Sequence, residues 1–474
     1  MEDFFRYFGA NPRPSGIQRL MFEILRVLPQ RAALHGEAPR VAFVRHSGDA
    51  FLMREISFAS IQALFEKTAS AVGARDQASP SEPRGVRRVL GGLRLGVLGW
   101  ISELPRWASE PLLRAFVMQV RALRSPALFA RRVMRSRKQA VAADTPTTAP
   151  PIQAAFPGRA GDVLLVLGAP WTSDSYGTLL QLLRTRHGIA PALLLYDLIP
   201  VRRPEWCAAQ LVEIFAAWLD QTLPECSRLM AISHSTARDF ANYAGEKGLT
   251  LASEITPIPI GTGFGLAEMA AEIPPRGLPP PGSYVLFVST LEARKNHALL
   301  VSVWRRLLND LPRERVPTLV FAGRVGWLVS DLMQQLENAE WFGGKIRLLR
   351  NPTDAELHAL YQGCQFTVFP SLFEGWGLPV SESFAFGCPC VCSGATSLPE
   401  SGGDLARYFD PENAGEAYEV IRNVIEDTAG LAAWRARVAS GFSHVPWEST
   451  ADAILAACLP AHSAALVEPE TAHP

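Results

Sequence analysis

The chain has 474 residues, 48% of them hydrophobic and 19% charged, with 46 basic side chains balanced by 46 acidic ones. That length supports two or three domains with real cores, and that composition excludes a disordered chain. The even charge balance gives no basic bias of the kind that marks nucleic-acid binding.

The first residues, Met-Glu-Asp-Phe-Phe-Arg, lack the basic and apolar regions of a signal peptide. No uninterrupted apolar run reaches membrane-spanning length, so no spanning helix is expected. The seven cysteines include Cys388, Cys390 and Cys392, whose alternation places them on one face of a strand. Metal sites prefer C-x2-C pairs or His partners, so these read as buried, reduced thiols in a cytoplasmic protein.

Ser15-Gly16-Ile17-Gln18-Arg19 opens a helical pattern carried by Leu20, Phe22, Ile24, Leu25, Val27 and Leu28. Strand-like runs follow at 41–44, 163–167, 191–196 and 229–232, the later ones separated by helical segments. Such alternation predicts an open parallel sheet. Residues 76–155 interrupt it. From Arg84 to Lys138 there are thirteen basic residues and two acidic ones, a net of +11, which leaves −11 for the remainder of the chain. Leu112, Phe116, Val120 and Leu123 share one helical face, Arg114 and Arg121 the opposite one. Two readings stand: an interfacial segment facing anionic lipid, or a solvated basic insertion packed on its own domain. Residues 144–151 (DTPTTAPP) read as a tether.

The Pro-rich stretch 273–283 marks a domain boundary. Beyond it, runs at 284–288, 318–322, 346–349 and 366–369 alternate with helices and predict a second doubly wound domain. The expected organisation is a first domain over 1–272 carrying the insertion, a linker over 273–283, and a second domain over 284–442. A final helix over 443–462 and a disordered tail over 463–474 complete it.

Two junctions carry chemistry. Ser289-Thr290-Leu291-Glu292-Ala293-Arg294-Lys295-Asn296 follows the first strand of the second domain and opens a helix. Two cations at a helix N-terminus oppose its dipole, and a bound anion would reconcile them. In Ser371–Glu382 (SLFEGWGLPVSE), Glu374 and Glu382 flank a Gly-rich turn, Pro379 suits a first helical turn, and Gly387 suits a helix end. Such a junction offers amides to a phosphate and carboxylates to sugar hydroxyls. No D-x-D occurs, and no G-x-G-x-x-G follows the first strand. Dinucleotide redox chemistry therefore has little support.

The run F-E-G-W-G-L-P-V-S-E-S-F-A-F-G-C-P, with Ser397-Leu398-Pro399-Glu400 and Gly403-Asp404 after it, resembles the donor-site signature of the retaining GT-B glycosyltransferases of family four. The resemblance implies an α/β GT-B fold, two doubly wound Rossmann-like domains facing across a cleft. It implies transfer of a hexose, with mannose favoured, from a nucleotide diphosphate-sugar to a lipid-linked or polysaccharide acceptor. No metal or other cofactor is expected. It also implies roles. Glu374 would touch the transferred sugar, the amides of Trp376, Gly377 and Leu378 would line sugar and phosphate, and Glu382 would accept from the ribose. Lys295, with Arg294 beside it, would meet the diphosphate. In the first domain, Gly16 lies in a turn similar to the family's G-I-x-R loop, near phosphate and acceptor. Arg19 would either join it or hold its helix to the sheet. Asp197, in Tyr196-Asp197-Leu198-Ile199-Pro200, matches the family's H-D-x-x-P, with Tyr196 in place of the histidine. Ser289-Thr290 replaces the glycine and arginine of many members, leaving the Thr290 hydroxyl for the phosphate. His234 reads as a surface residue and Ser233 as a helix cap. The rival expectations are a GT-B nucleotide-sugar epimerase and a non-catalytic sugar-binding assembly subunit.

Overall fold

The structure is a computed structural model that describes residues 4–5, 7–8, 14–34, 39–46, 53–70, 158–168, 170–172, 175–263 and 277–459. The basic insertion, the tether at 144–151 and the tail beyond 459 lie outside the described residues, as do 273–276 of the linker. All the described residues belong to one compact body.

Two parallel sheets define the architecture, as the α/β GT-B expectation requires. The first has four strands in the order β3 (Val163–Val166), β4 (Ala190–Leu195), β5 (Arg228–Ala231) and β6 (Ile255–Pro257). Every neighbouring pair is parallel. Strand β4 is buried along nearly its whole length, because helices cover both faces of a parallel sheet. Ala192, Leu194, Met230 and Ile232 face one core; Leu193, Leu195, Leu229 and Ala231 face the other.

One strand expectation is corrected. The apolar run at 41–44 contributes only to a separate antiparallel pair, β1 (Phe43–His46) with β2 (Met53–Ile56), and not to the parallel sheet. The six residues between these strands permit a hairpin return, which needs no crossover helix.

The second sheet has six strands in the order β12 (Arg407–Phe409), β11 (Cys390–Ser393), β10 (Thr367–Phe369), β7 (Tyr284–Val288), β8 (Thr318–Gly323) and β9 (Ile346–Arg350). The order reverses between β7 and β10, the switch point at which open parallel sheets leave a crevice beyond their carboxyl ends. The segments carrying the two predicted junctions, 289–296 and 370–378, are the chain leaving these two strands. Val285, Phe287, Leu319 and Phe321 face one core; Tyr284, Leu286, Val320 and Ala322 face the other. Cys390 and Cys392 lie in the first of these clusters, whereas Cys388 precedes the strand and packs in the second. The single-face reading of the three thiols therefore fails for Cys388. All seven cysteines are free, and all but Cys207 are buried.

The helix Trp447–Cys458 returns to the first lobe. Trp447, Ala451, Ile454 and Leu455 bury against Leu20, Ile24 and Leu28 of the helix Gly16–Ala33. The Trp447 ring lies flat against Gly261, where a Cβ would come within 2.3 Å of it. Among the described residues, no helix is long and apolar enough to cross a membrane.

Candidate active site

Strand β7 ends in a 3-10 turn, Ala293–Lys295, which Asn296 closes in the left-handed region at φ 60° before the helix His297–Asp310 begins. This turn aims Arg294 and Lys295 at the chain leaving β10. The Leu372 amide donates to the Arg294 carbonyl at 2.9 Å, tying the two loops together. The Arg294 guanidinium then makes three contacts: Glu374 Oε2 at 2.9 Å, Glu292 Oε1 at 2.7 Å and the Phe373 carbonyl at 3.0 Å. The Lys295 ammonium takes the other oxygen of Glu374.

Glu374 is thus a buried carboxylate gripped by two cations. Burial opposes its ionisation, but Arg294 and then Lys295 outweigh burial and hold its pKa down to about 2. Burial works against the Arg294 charge too, and Glu374 and Glu292 overcome it, raising the guanidinium pKa. For Lys295, burial and the adjacent Arg294 charge pull the pKa below its ordinary value, with Glu374 opposing. The backbone of Glu374 is fixed as well. Its amide donates to Thr396 Oγ1 at 3.0 Å, and its carbonyl accepts from Ser397 Oγ at 2.9 Å.

Asp197 joins the cluster from the first lobe. It leaves β4 in a turn where its carboxylate accepts the Ile199 amide at 3.1 Å. Burial raises its pKa, while the Arg294 charge lowers it. Contact between the lobes is direct at this point. Thr236 Oγ1 donates to the Tyr196 carbonyl at 3.3 Å and to the Gly375 carbonyl at 3.2 Å.

The turn Gly375–Gly377 feeds the helix Leu378–Ala385, with Gly377 at φ 104° and Pro379 in the first turn. Gly387 follows the helix at φ 62°, as expected of a glycine beyond a helix end. Among the described residues, the amides of Trp376, Gly377 and Leu378 donate to no protein acceptor. Trp376 and Leu378 pack their side chains against the first-lobe core. Leu378 lies 3.8 Å from where a Cβ on Gly16 would stand.

Glu382 is buried on this helix and accepts from the Tyr361 hydroxyl at 2.9 Å. Burial raises its pKa; the Tyr361 hydrogen bond and the Arg19 charge counter that rise. Arg19 itself pairs with Asp354 of the second lobe at 3.0 Å. It therefore reaches across the cleft. Thr290 follows β7, its methyl against Gly326. Ser233 caps its helix through Thr236, and His234 is exposed, both as expected.

The structure therefore brings Glu374, Lys295, Arg294 and Asp197 into one cluster. Glu382 with Tyr361 forms a second group, reached by the charge of Arg19. Sequence reasoning gave no role to Glu292, Tyr361, Asp354 or Glu400. Glu292 and Glu400 lay inside runs already singled out, but nothing in spacing separates a buried carboxylate from a solvated one. The Thr353–Glu356 capping box, present in the structure, is the sequence signal that could have placed Asp354 and Tyr361 on one helix.

Paired parallel α/β lobes thus set Arg294, Lys295, buried Glu374 and Glu382, and amides without a protein acceptor among the described residues, beside a strand switch point. Residues 270–439 match the family described as glycosyl transferases group 1, and this part of the chain is a glycosyltransferase group 1 domain. The chain is 27% identical over 282 residues to the serotype-specific mannosyltransferase WbdA of Escherichia coli, covering 56% of this chain and 33% of that protein. It is 34% identical over 166 residues to O-antigen chain mannosyltransferase B of Escherichia coli, covering 35% of this chain and 43% of that one. The alignment thus spans a third to under half the length of these relatives. Among solved structures, HepE of Anabaena in complex with UDP aligns at a TM-score of 0.48 with 17% identity, over 62% of this chain and 78% of that one.

Proposed function

We propose that this protein is a retaining glycosyltransferase. It moves a hexose, mannose first among the candidates, from a nucleotide diphosphate-sugar to a lipid-linked or polysaccharide hydroxyl in bacterial surface-polysaccharide synthesis. One observation carries the reading: two cations converge on buried Glu374 beside three unpaired amides at the mouth of the helix Leu378–Ala385. Support for mannose comes from the names of the two relatives.

The chemistry follows from charge. The acceptor oxygen attacks the anomeric carbon on the face from which the diphosphate departs. The bond between that carbon and the phosphate oxygen breaks, and its electron pair leaves with the diphosphate. The acceptor proton passes to the departing phosphate oxygen. Arg294, Lys295 and the amides of Trp376–Leu378 stabilise the developing negative charge, and preorganised donors of this kind are the largest single contribution in many enzymes. The donor's phosphates compete with Glu374 for Lys295, which frees one carboxylate oxygen for sugar hydroxyls. Glu382, held by Tyr361, accepts from the ribose. Asp197 faces the reacting sugar from the other lobe. With leaving-group stabilisation supplied by the chain, turnover is expected to persist in EDTA.

A screen of nucleotide diphosphate-sugars, reading out free nucleotide diphosphate with and without a membrane extract, tests this. Release that depends on the extract supports transfer. Donor consumption without acceptor favours an epimerase or hydrolase, and inactivity with every donor favours the sugar-binding subunit. The basic stretch 84–138 is proposed to meet an anionic membrane surface. Equal recovery in the supernatant with anionic and neutral vesicles at low salt would end that idea.

A further inference from the structure

Glu400 spans the cleft. Its two carboxylate oxygens accept the backbone amides of His234 and Ser235, each at 2.7 Å, from the start of the helix His234–Lys247 in the opposite lobe. The first turn of that helix is thereby fully accounted for. Thr236 donates its amide to Ser233 Oγ at 2.9 Å, within the first lobe. The next amide, of Ala237, donates to the Ser233 carbonyl. His234 and Ser235 remain, and the second lobe supplies the only acceptor that either amide has among the described residues. A carboxylate at a helix N-terminus is also favoured by the helix dipole.

The segment that carries Glu400 is the one that fixes Glu374. Thr396 and Ser397 hold the Glu374 amide and carbonyl. Three residues on, Glu400 grips the helix whose Thr236 hydroxyl bridges the Tyr196 and Gly375 carbonyls. Tyr196 immediately precedes Asp197. One short stretch, 396–400, thus sets Glu374 in the second lobe and the height of Asp197 in the first.

We propose that Glu400 is a positioning residue that sets the closed register of the two lobes, aligning Asp197 with the Arg294–Glu374–Lys295 cluster by completing the cap of a helix in the other lobe. Its catalytic consequence rests on the glycosyltransferase reading; its structural consequence does not. If the lobes part, the two amides and the carboxylate return to water, so the contact favours the closed form without binding substrate itself.

Hydrogen exchange and steady-state kinetics on the full chain test it, with Glu400→Ala, Glu400→Gln and Ser233→Ala. Ser233→Ala removes the cap from within the first lobe alone. In a folded Glu400→Ala, exchange should rise about tenfold both in the peptide containing His234–Thr236 and in the distant cleft peptide containing Ile199, whose amide donates to Asp197. The Gln variant, which keeps one acceptor oxygen, should show a smaller rise at both places, and Ser233→Ala a rise at the helix only. Turnover by Glu400→Ala should fall about tenfold while the donor KM stays within threefold of wild type. Faster exchange confined to the helix, with the cleft peptide unchanged in both Glu400 variants, would overturn the proposal and leave a local cap. Should wild type transfer no sugar at all, the functional reading fails, and the exchange at Ile199 still decides the role of Glu400.

Discussion

Gly375 and Tyr196 meet backbone to backbone across the cleft: a Cβ on Gly375 would lie 2.0 Å from the Tyr196 carbonyl oxygen. No side chain larger than hydrogen fits between the lobes at this point. The glycine is required here for the closeness of a neighbouring chain.

Gly375→Ala is therefore expected to push the lobes apart. Overpacking of this kind costs about 1–3 kcal/mol, and the displaced Asp197 should lower kcat/KM. Gly245→Ala is the matched control, since Gly245 lies on an exposed helix surface with nothing within 4 Å of its would-be Cβ. It should gain up to about 1 kcal/mol from helix propensity, with activity unchanged. Denaturant melts and turnover on both variants decide the matter; a fully active Gly375→Ala would contradict the tight-contact argument.

Lys295→Ala leaves Glu374 with Arg294 alone and removes one donor to the departing phosphate. The loss of one such donor typically lowers kcat by about 10²–10³. Breaking a buried pair destabilises by about 3–5 kcal/mol, so folding must be checked by circular dichroism beside the kinetics. Turnover within twofold of wild type in a folded variant would remove Lys295 from the chemistry.

Glu382→Ala should raise the donor KM by about 10- to 100-fold, the equivalent of one charge-assisted hydrogen bond. Tyr361→Phe leaves the carboxylate but frees its orientation, so its effect on the same constant should be smaller and in the same direction. Donor titrations on both variants check the order; equal KM values across wild type and both variants would deny Glu382 its ribose.

The depressed carboxyl of Glu374 predicts an acid limit on stability. A carboxyl that titrates at about 2 when folded and at 4.5 when unfolded stabilises fully above the unfolded value. That contribution, about 3 kcal/mol by linkage, is lost as the pH falls through the folded value, because the unfolded chain binds the proton first. The stability difference between wild type and Glu374→Gln should therefore be flat above pH 5 and shrink steadily below pH 4. Urea melts across pH 3–7 read it; a difference independent of pH would mean the ion pairs do not hold the carboxyl down.

Much of this site was legible in the sequence because its parts are local. The strand exits, the Pro379 and Gly387 helix limits and the Arg294-Lys295 pair are each set by a few neighbouring residues. Long-range partners were not legible. Tyr361 finds Glu382, and Arg19 finds Asp354, only through the tertiary path of the chain. The run at 41–44 misled because apolar alternation fixes a strand without naming its partner. Glu400 was quoted and given no role, since only the fold reveals that its neighbour is the bare start of a helix 165 residues earlier.

The docking of Trp447–Cys458 onto Gly16–Ala33 has a consequence for how the molecule is made. Residues 277–441 form one uninterrupted lobe that can condense as soon as it clears the ribosome. The other lobe waits: until Trp447, Ile454 and Leu455 emerge, the apolar stripe of Leu20, Ile24 and Leu28 lacks the cover that this last helix supplies. Biogenesis should run against the order of translation, with the segment synthesised first being the last to mature, and with nascent chains stalled before residue 447 depending on chaperones to stay dispersed.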